Sequence, residues 1–336
     1  MDIAKFFKRN IVENKSLIFI SIIIIFFIRL CFYYNSDDSL SYTFIQGYIW
    51  KEGLEYIFQN KIVAFITSLT FTICIGVYSA YINVKHKLIR NRTVLIYIFT
   101  FLLLSGHPVF ITMIPQYVSL LFILLCIDTL FTSYMKGNAA GSAYNIGFLL
   151  GASSLFSFYS LIYLLIFWVG FKYMRNLNFK TFVSSLLGAA TVYWLAFFYF
   201  LWKGAINEFL IPFQQLHTIL SEFTFTIHIN SIIVYILFVV LFSIIAISYA
   251  TTSHHDKVQV RANISYIFVF CAFSLLSFIL TIYDSILSLY TFIFSGSILL
   301  SHFFSLTEQK WKIYLFYISL SLYFIWCIYL LMNRVN

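Results

Sequence analysis

The chain of 336 residues is 62% hydrophobic and 21% aromatic, and only 10% of its residues are charged. A soluble domain carries about 25% charged residues and is about half apolar, so this composition excludes a soluble globular protein and indicates that lipid covers most of the surface. The net charge of +9 would suit a nucleic-acid binder. The basic residues stand in short loops between apolar runs, however, which is typical of the cytoplasmic loops of a membrane protein. We therefore expect no nucleic-acid partner.

Apolar runs that could cross a membrane follow one another along the chain, because about 20 apolar residues cross a hydrocarbon core of about 30 Å. They are residues 16–34, 61–83, 93–113, 116–135, 143–157, 159–173, 181–201, 231–250, 262–282, 286–305 and 312–332. The first run lacks a small-residue cleavage site and is longer than a signal-peptide core, so we interpret it as a retained span. The pattern predicts an all-α, polytopic transmembrane helical bundle of about 10–11 spans, forming a single integral membrane domain over residues 1–336.

The two mid-chain runs, 143–157 and 159–173, are short. They predict either a tight helical hairpin or one long tilted helix. If the N-terminus is cytoplasmic and every run crosses, sixteen basic residues fall on inner segments and four on outer ones. A single crossing would move the basic cluster of 172–180 to the outside. The positive-inside rule therefore favours two crossings and a C-terminus outside.

Two predicted outer segments, 35–60 and 202–230, are too long to be turns. The second segment places apolar side chains at helical spacing, with polar ones between them: Phe209, Phe213, Leu216, Leu220 and Phe223. The first segment carries Phe44, Tyr48, Trp50, Ile57 and Phe58. Such patterns are typical of amphipathic helices that lie in the membrane interface, so we expect both segments to be interfacial and to face outward.

Asp37 and Asp38 follow the first apolar run in the sequence Tyr-Tyr-Asn-Ser-Asp-Asp-Ser. A carboxylate at the outer membrane surface can act as a general base, or it can bind a divalent metal that holds a phosphate. The same two residues, or Ser36, can instead cap the interfacial helix that follows. Both interpretations stay open, and Asp37 and Asp38 are the candidate catalytic residues.

Arg29 and Asp128 are charged residues within apolar runs. Such charges are costly in lipid and tend to face the protein interior with a partner. Arg29 lies about a turn and a half below the outer end of its run. It could extend outward to the surface, or it could bind the phosphate of an anionic lipid, which makes it a candidate for substrate binding. For Asp128, a structural polar contact and a functional role are both open.

His107 stands in the sequence Ser-Gly-His-Pro, where Pro108 ends the helix. It is the second candidate for substrate binding, if it lines an outward-facing cavity. A hydrogen-bonded loop histidine is the alternative. No two histidines within a run stand three or four residues apart, the spacing that a di-iron or zinc centre needs. We expect no metal centre of that kind and no cofactor, with a divalent metal only if the protein is an enzyme.

Four stretches of the chain, between about residues 80 and 203, carry a family resemblance. They are Tyr81-Ile-Asn-Val-Lys-His-Lys-Leu-Ile-Arg-Asn-Arg-Thr, Leu103-Leu-Ser-Gly-His-Pro, Gly147-Phe-Leu-Leu-Gly-Ala-Ser-Ser-Leu-Phe-Ser-Phe and Arg175-Asn-Leu-Asn-Phe-Lys. They resemble an uncharacterised family of bacterial polytopic inner-membrane proteins, which implies a multi-pass protein of the bacterial cytoplasmic membrane. Some members are labelled carotene monooxygenases, and the histidine spacing here does not support that label.

The layout of the chain also resembles the membrane-embedded C-type glycosyltransferases. Those enzymes have an acidic first outer loop with interfacial helices and a short helix pair in mid-chain. The resemblance implies transfer of a sugar from a polyprenyl-phosphate donor, with Asp37 or Asp38 as the base or metal ligand and Arg29 as a phosphate contact. The hypothesis is a protein that handles a polyprenyl-linked or lipid substrate. The alternatives are a non-catalytic scaffold or subunit of an envelope-assembly complex, with other membrane proteins as partners, and a transporter or flippase.

Overall fold

The computed structural model describes residues 3–35, 47–50, 54–58, 60–221, 242–249, 256–280, 285–305 and 310–332. These residues form helices and no strands, in the order α1 (Ile3–Phe7), α2 (Ser16–Asn35), α3 (Glu55–Phe58), α4 (Lys61–His86), α5 (Leu95–Leu103), α6 (Pro115–Thr132), α7 (Ala140–Ser154), α8 (Tyr163–Tyr173), α9 (Phe179–Lys203), α10 (Ile206–Ser221), α11 (242–249), α12 (Val258–Leu280), α13 (Ser285–Ser305) and α14 (Lys310–Met332). A π-helical turn covers Lys8–Val12, and 3-10 turns cover Pro108–Phe110 and Phe158–Ile162. The predicted all-α class is confirmed.

Seven helices in the described part of the chain are long and apolar enough to cross a membrane. They are α2, α4, α6, α9, α12, α13 and α14. The remaining predicted runs correspond to shorter helices, because α5 has 9 residues, α7 has 15 and α8 has 11. Of the predicted run 231–250, only α11 lies within the described residues. The chain is thus an integral, multi-pass helical membrane protein.

Helices α7 and α9 run parallel to each other. The hydroxyl of Tyr144 lies 3.2 Å from Oγ1 of Thr191. Further along both helices, Oγ of Ser154 lies 2.8 Å from the hydroxyl of Tyr193. Because the residue numbers of both partners increase from the first contact to the second, the two helices run in the same direction.

Helix α8 runs antiparallel to α9. The ring of Phe158, before the start of α8, contacts the ring of Tyr193 at 6.5 Å. Ten residues later, Nε1 of Trp168 donates to Oγ of Ser185 at 2.9 Å. The chain therefore reverses direction twice between α7 and α9, with an interruption at 155–162. This arrangement matches the hairpin interpretation of the two mid-chain runs and excludes one long helix.

Small residues allow α7 and α9 to pack backbone against backbone. A Cβ atom on Gly147 would overlap the carbonyl oxygen of Ser185, and one on Gly188 would overlap the carbonyl oxygen of Tyr144. Close approach through glycine is a usual way for membrane helices to associate, since lipid supplies no hydrophobic drive between them. Helices α7 and α9 therefore form a closely packed pair.

Segments that were predicted to face the cytoplasm meet at one end of the bundle. The backbone N–H of Val94 donates to the carbonyl of Val12 at 2.9 Å. Nε of Arg90 contacts Oδ1 of Asp256 at 2.5 Å. These pairs join the N-terminal segment, the α4–α5 loop and the start of α12. The structure shows that these three segments lie at the same end of the bundle. That this end is cytoplasmic stays a prediction.

Candidate functional site

The Arg29 side chain lies inside the bundle, not at its surface. The residue is 0% exposed and is among the largest fully buried side chains of the described chain. The expectation that Arg29 could extend outward to the membrane surface is therefore wrong. Polar groups on neighbouring helices offer hydrogen bonds within the protein, so the guanidinium has no need to reach the headgroups.

The guanidinium of Arg29 is held by acceptors from three neighbouring parts of the chain. Nε donates to Ser105 Oγ at 3.0 Å, Nη1 donates to Ser68 Oγ at 3.2 Å, and Nη2 lies within hydrogen-bonding distance of Thr72 Oγ1, Leu104 O and Tyr117 OH at 2.5, 2.9 and 2.9 Å. Together with Arg29 we call these residues the arginine cage. It ties α2 to α4, to the end of α5 and to α6.

The hydroxyls of the cage have defined directions. Oγ of Ser68 donates to the carbonyl of Ile111 at 2.5 Å, and Oγ1 of Thr72 donates to the carbonyl of Ser68 at 2.8 Å. The hydroxyl of Tyr117 donates to the carbonyl of Phe110 at 2.6 Å. Since the hydrogens of these three hydroxyls point to carbonyls, each of the three oxygens offers a lone pair to Arg29.

The positive charge of Arg29 has no carboxylate partner among the described residues. Its compensation comes from dipoles. Leu104 is the C-cap of α5, and its carbonyl stands at the negative end of that helix. A buried charge with neutral partners retains attraction for an anion, because burial weakens dielectric screening. The cage is thus a structural tie with a positive potential around it.

His107 lies in the same loop as two residues of the cage, Leu104 and Ser105. Its Nδ1 accepts from the backbone N–H of Val109 at 3.2 Å, which caps the 3-10 turn that begins at Pro108. Its ring meets Phe110 edge-on, with centroids 6.3 Å apart. The structure therefore brings His107 and Arg29 to one region and gives His107 the bonding of a capping loop histidine.

The predicted catalytic pair, Asp37 and Asp38, lies outside the described residues. The described parts of the same outer segment are the helical turn at 47–50 and α3. The backbone N–H of Gly47 donates to the carbonyl of Phe156 at 2.8 Å. This contact fixes the segment on the turn between α7 and α8.

Aromatic side chains join the two predicted outer segments. The hydroxyl of Tyr48 donates to the carbonyl of Phe209 at 2.5 Å, and their rings stack with centroids 5.7 Å apart. The ring of Phe213 contacts both Phe158 and Tyr193, at 5.1 and 5.8 Å. The ring of Phe200 contacts those of Tyr48 and Phe209, at 5.0 and 6.1 Å. We call this group the outer junction: Tyr48, Phe158, Tyr193, Phe200, Phe209 and Phe213. Burial raises the pKa of Tyr48, so its hydroxyl stays protonated.

The outer junction bears out part of the pattern in 202–230. Phe209 and Phe213 of α10 contact α9, as expected for the apolar face of an amphipathic helix. The helix is described as far as Ser221, and 222–230 lies outside the described residues. Whether α10 lies flat in the interface stays a prediction.

Asp128 is a helix-to-helix tie near the opposite end of the bundle. Its Oδ2 contacts Nζ of Lys85 at 2.7 Å, and its Oδ1 contacts Nε2 of His86 at 2.7 Å. The hydroxyl of Tyr78 lies 3.4 Å from Oδ2. All three partners stand on α4, so the carboxylate joins α6 to α4. Of the two interpretations of Asp128, these contacts favour the structural one.

Sequence reasoning missed the partners of the arginine cage and the buried Asp256. Ser68 and Thr72 are four residues apart and hence share one face of α4. This spacing can be read from the sequence, but such pairs are common. Among the described residues, no group of three or more His, Cys, Asp or Glu side chains could hold a metal ion. The described acids with short contacts, Asp128 and Asp256, are engaged by basic groups of α4 and the loop that follows it.

Fold and site together define an integral, multi-pass helical membrane protein with a buried arginine cage and an aromatic junction at the other end from its basic loops. Comparison of the chain with protein-family models, with curated proteins and with solved structures finds no match.

Proposed function

We propose that the protein acts at the outer face of a bacterial cytoplasmic membrane on a polyprenyl-linked or lipid substrate, with an architecture like that of the C-type glycosyltransferases. The observation that carries the proposal is the docking of the first outer segment, through Gly47 and Tyr48, on the α7–α8 turn and on α10. The layout of those enzymes has an acidic first outer loop and a short mid-chain helix pair, and in this chain the corresponding two parts contact each other.

The chemistry assigned to this outer face needs an acid and an anion contact. Asp37 or Asp38 would be the general base, or the ligand of a divalent metal that holds a phosphate. The arginine cage supplies positive potential in the same half of the bundle, because Arg29 lies in the second half of α2, before these acids. Its donors already bond to protein groups, so it would attract a phosphate by long-range field and not by direct contact.

A non-catalytic scaffold or subunit of an envelope-assembly complex is the second candidate. The internal hydrogen bonding of Arg29 favours it, since a residue expected to bind substrate is used to hold helices together. The ion pairs of Asp128 and Asp256 have the same structural character. A scaffold would depend on stoichiometric partner proteins in place of a lipid substrate.

Analysis of the lipids and proteins that accompany the purified protein separates the two candidates. The protein is extracted with its surrounding bilayer in polymer nanodiscs, and lipids are quantified by mass spectrometry against nanodiscs of an unrelated multi-pass protein from the same cells. Enrichment of polyprenyl phosphates or polyprenyl-linked sugars by at least about tenfold is the expected result. No enrichment, together with stoichiometric copurification of another membrane protein, would reject the enzyme in favour of the scaffold.

A further inference from the structure

A cationic and apolar surface is formed where two loops of the predicted cytoplasmic end meet. The loop 133–139 follows α6, and the loop 174–178 separates α8 from α9. The backbone N–H of Met135 donates to the carbonyl of Met174 at 3.1 Å. The side-chain amide of the buried Asn176 donates to the carbonyl of Ser133. The two loops are therefore fixed against each other.

The backbone at this surface has an unusual conformation in both loops. Met135 has a φ of 51° and Arg175 a φ of 59°. This left-handed region is uncommon for residues other than glycine and costs energy. The hydrogen bonds between the loops hold both residues there. As a result the side chains of Met135 and Arg175 stay exposed at the end of the bundle.

Four exposed basic residues stand in or next to these two loops: Lys136, Lys172, Arg175 and Lys180. No Asp or Glu occurs in the sequence between Asp128 and Glu208, and Asp128 is already paired with α4. The surface is therefore strongly positive, without acids of its own loops to neutralise it.

Large apolar side chains stand among these cations. Phe179 is 81% exposed, and Met135 and Leu177 are exposed as well. Exposed apolar side chains would contribute nothing to the binding of a free anion. Apolar groups interleaved with lysine and arginine at the end of membrane helices fit the boundary between acyl chains and headgroups, where aromatic rings and basic residues both reside.

We infer that this surface, formed by 133–139 and 172–180, binds the headgroup of an anionic phospholipid of the adjoining leaflet. The basic side chains contact the phosphate, and Phe179, Leu177 and Met135 contact the glycerol and the first acyl carbons. The inference is independent of the proposed function at the outer face.

Lipid titration followed by native mass spectrometry tests the inference, with phosphatidylglycerol as the anionic lipid and phosphatidylcholine as the zwitterionic one. The test variant carries Lys136→Gln, Lys172→Gln, Arg175→Asn and Lys180→Gln, where Asn is chosen because it tolerates the left-handed backbone. A charge-matched control replaces exposed lysines elsewhere on the same end of the bundle by Gln: Lys5, Lys15, Lys257 and Lys310.

Each basic residue near an anionic headgroup contributes about fivefold to binding. We expect the test variant to lose at least about tenfold in affinity for phosphatidylglycerol and the control to lose about twofold or less, with phosphatidylcholine unaffected in both. Equal losses in the two variants would show a diffuse charge effect and would overturn the inference. A thermal melt of each variant without added lipid confirms that it is folded.

Two further arms test the kind of ligand. Phe179→Ser keeps all the charges, and we expect it to weaken phosphatidylglycerol binding severalfold. Unchanged binding in that variant would overturn the apolar part of the contact. Soluble glycerophosphate at about 10 mM should not displace the lipid, because it lacks acyl chains. Displacement would identify a free-phosphate site and would contradict the assignment to a phospholipid.

Discussion

Nη2 of Arg29 on α2 lies 2.9 Å from the hydroxyl of Tyr117 on α6, which is 88 residues away in the chain. The same guanidinium contacts α4 and the end of α5. Because these contacts use neutral oxygens throughout, the cage depends on the planar, many-donor geometry of arginine, and not on an ion pair.

Replacement of Arg29 by Ala is expected to destabilise the protein strongly. It removes the partner of the buried Leu104 carbonyl and leaves a cavity, so we expect a loss of about 2–4 kcal/mol in the free energy of unfolding. Arg29→Lys should recover only part of this, since an ammonium cannot reach all the acceptors. Unfolding in detergent, followed by fluorescence, gives the values. The control is the exposed Arg92→Ala. A melting temperature of the Arg29 variants equal to that of the control would contradict the structural role.

Gly147→Ala is expected to force α7 away from α9. A methyl group there would overlap the carbonyl oxygen of Ser185, and overpacking of this kind costs about 1–3 kcal/mol. A Cβ atom on Gly141 of the same helix would meet no described residue within 4 Å apart from its own helical turn. Gly141→Ala should therefore be neutral or slightly stabilising, because Ala favours helix. Equal melting temperatures for the two variants would contradict the close packing of α7 on α9.

The ion pair between Asp128 and Lys85 should give a small, measurable coupling. The side chains are 13% and 34% exposed, so solvent screens the pair in part. In a double-mutant cycle with Asp128→Asn and Lys85→Gln, we expect a coupling energy of about 0.5–1 kcal/mol. Unfolding midpoints of the four proteins supply the measurement. Strict additivity of the single changes would mean that Lys85 does not stabilise the carboxylate and that His86 and Tyr78 hold it.

Orientation in the membrane is tested by labelling single cysteines with an impermeant maleimide. The background lacks the five native cysteines, all of which are free thiols. Tyr56→Cys, in the first outer segment, should label in intact cells, and Asn178→Cys should label only after the membrane is opened. Both positions are exposed. If Asn178→Cys labels in intact cells and Tyr56→Cys does not, the whole predicted orientation is inverted.

The positions of most described helices could be predicted from the sequence, because charged, polar or small residues bound most of the apolar runs. The run 93–113 is an exception, since α5 covers only Leu95–Leu103. The hairpin at 143–173 could also be predicted, from the basic residues of 172–180. The structure confirms that the chain reverses there, and that both helices cross the membrane stays a prediction. Charge favoured the hairpin because it reports on the side of the membrane that a loop occupies, which helix length does not.

The partners of Arg29 could not be predicted. The guanidinium bonds to side chains 39 to 88 residues away in the chain, and serine, threonine and tyrosine are frequent throughout this sequence. The expectation that the Arg29 side chain extends outward was based only on its depth within the first apolar run. That depth does not show which polar groups a neighbouring helix presents. The outer junction was hidden for a similar reason, since Tyr48 and Phe209 belong to segments 161 residues apart.

The central claim, chemistry at the outer face, is tested most directly by Asp37→Asn together with Asp38→Asn. Asn keeps the size and the helix-capping ability of Asp but cannot act as a general base. Complementation of a strain that lacks the native protein is measured beside expression level and melting temperature. The matched control is Glu55→Gln, which removes an acid from the same outer segment.

We expect the double variant to be folded and expressed normally and to lose activity by a factor of about a hundred or more, the usual contribution of a general base, while the Glu55 control complements fully. Full complementation by the double variant would contradict the enzyme proposal and leave the scaffold as the function of this fold.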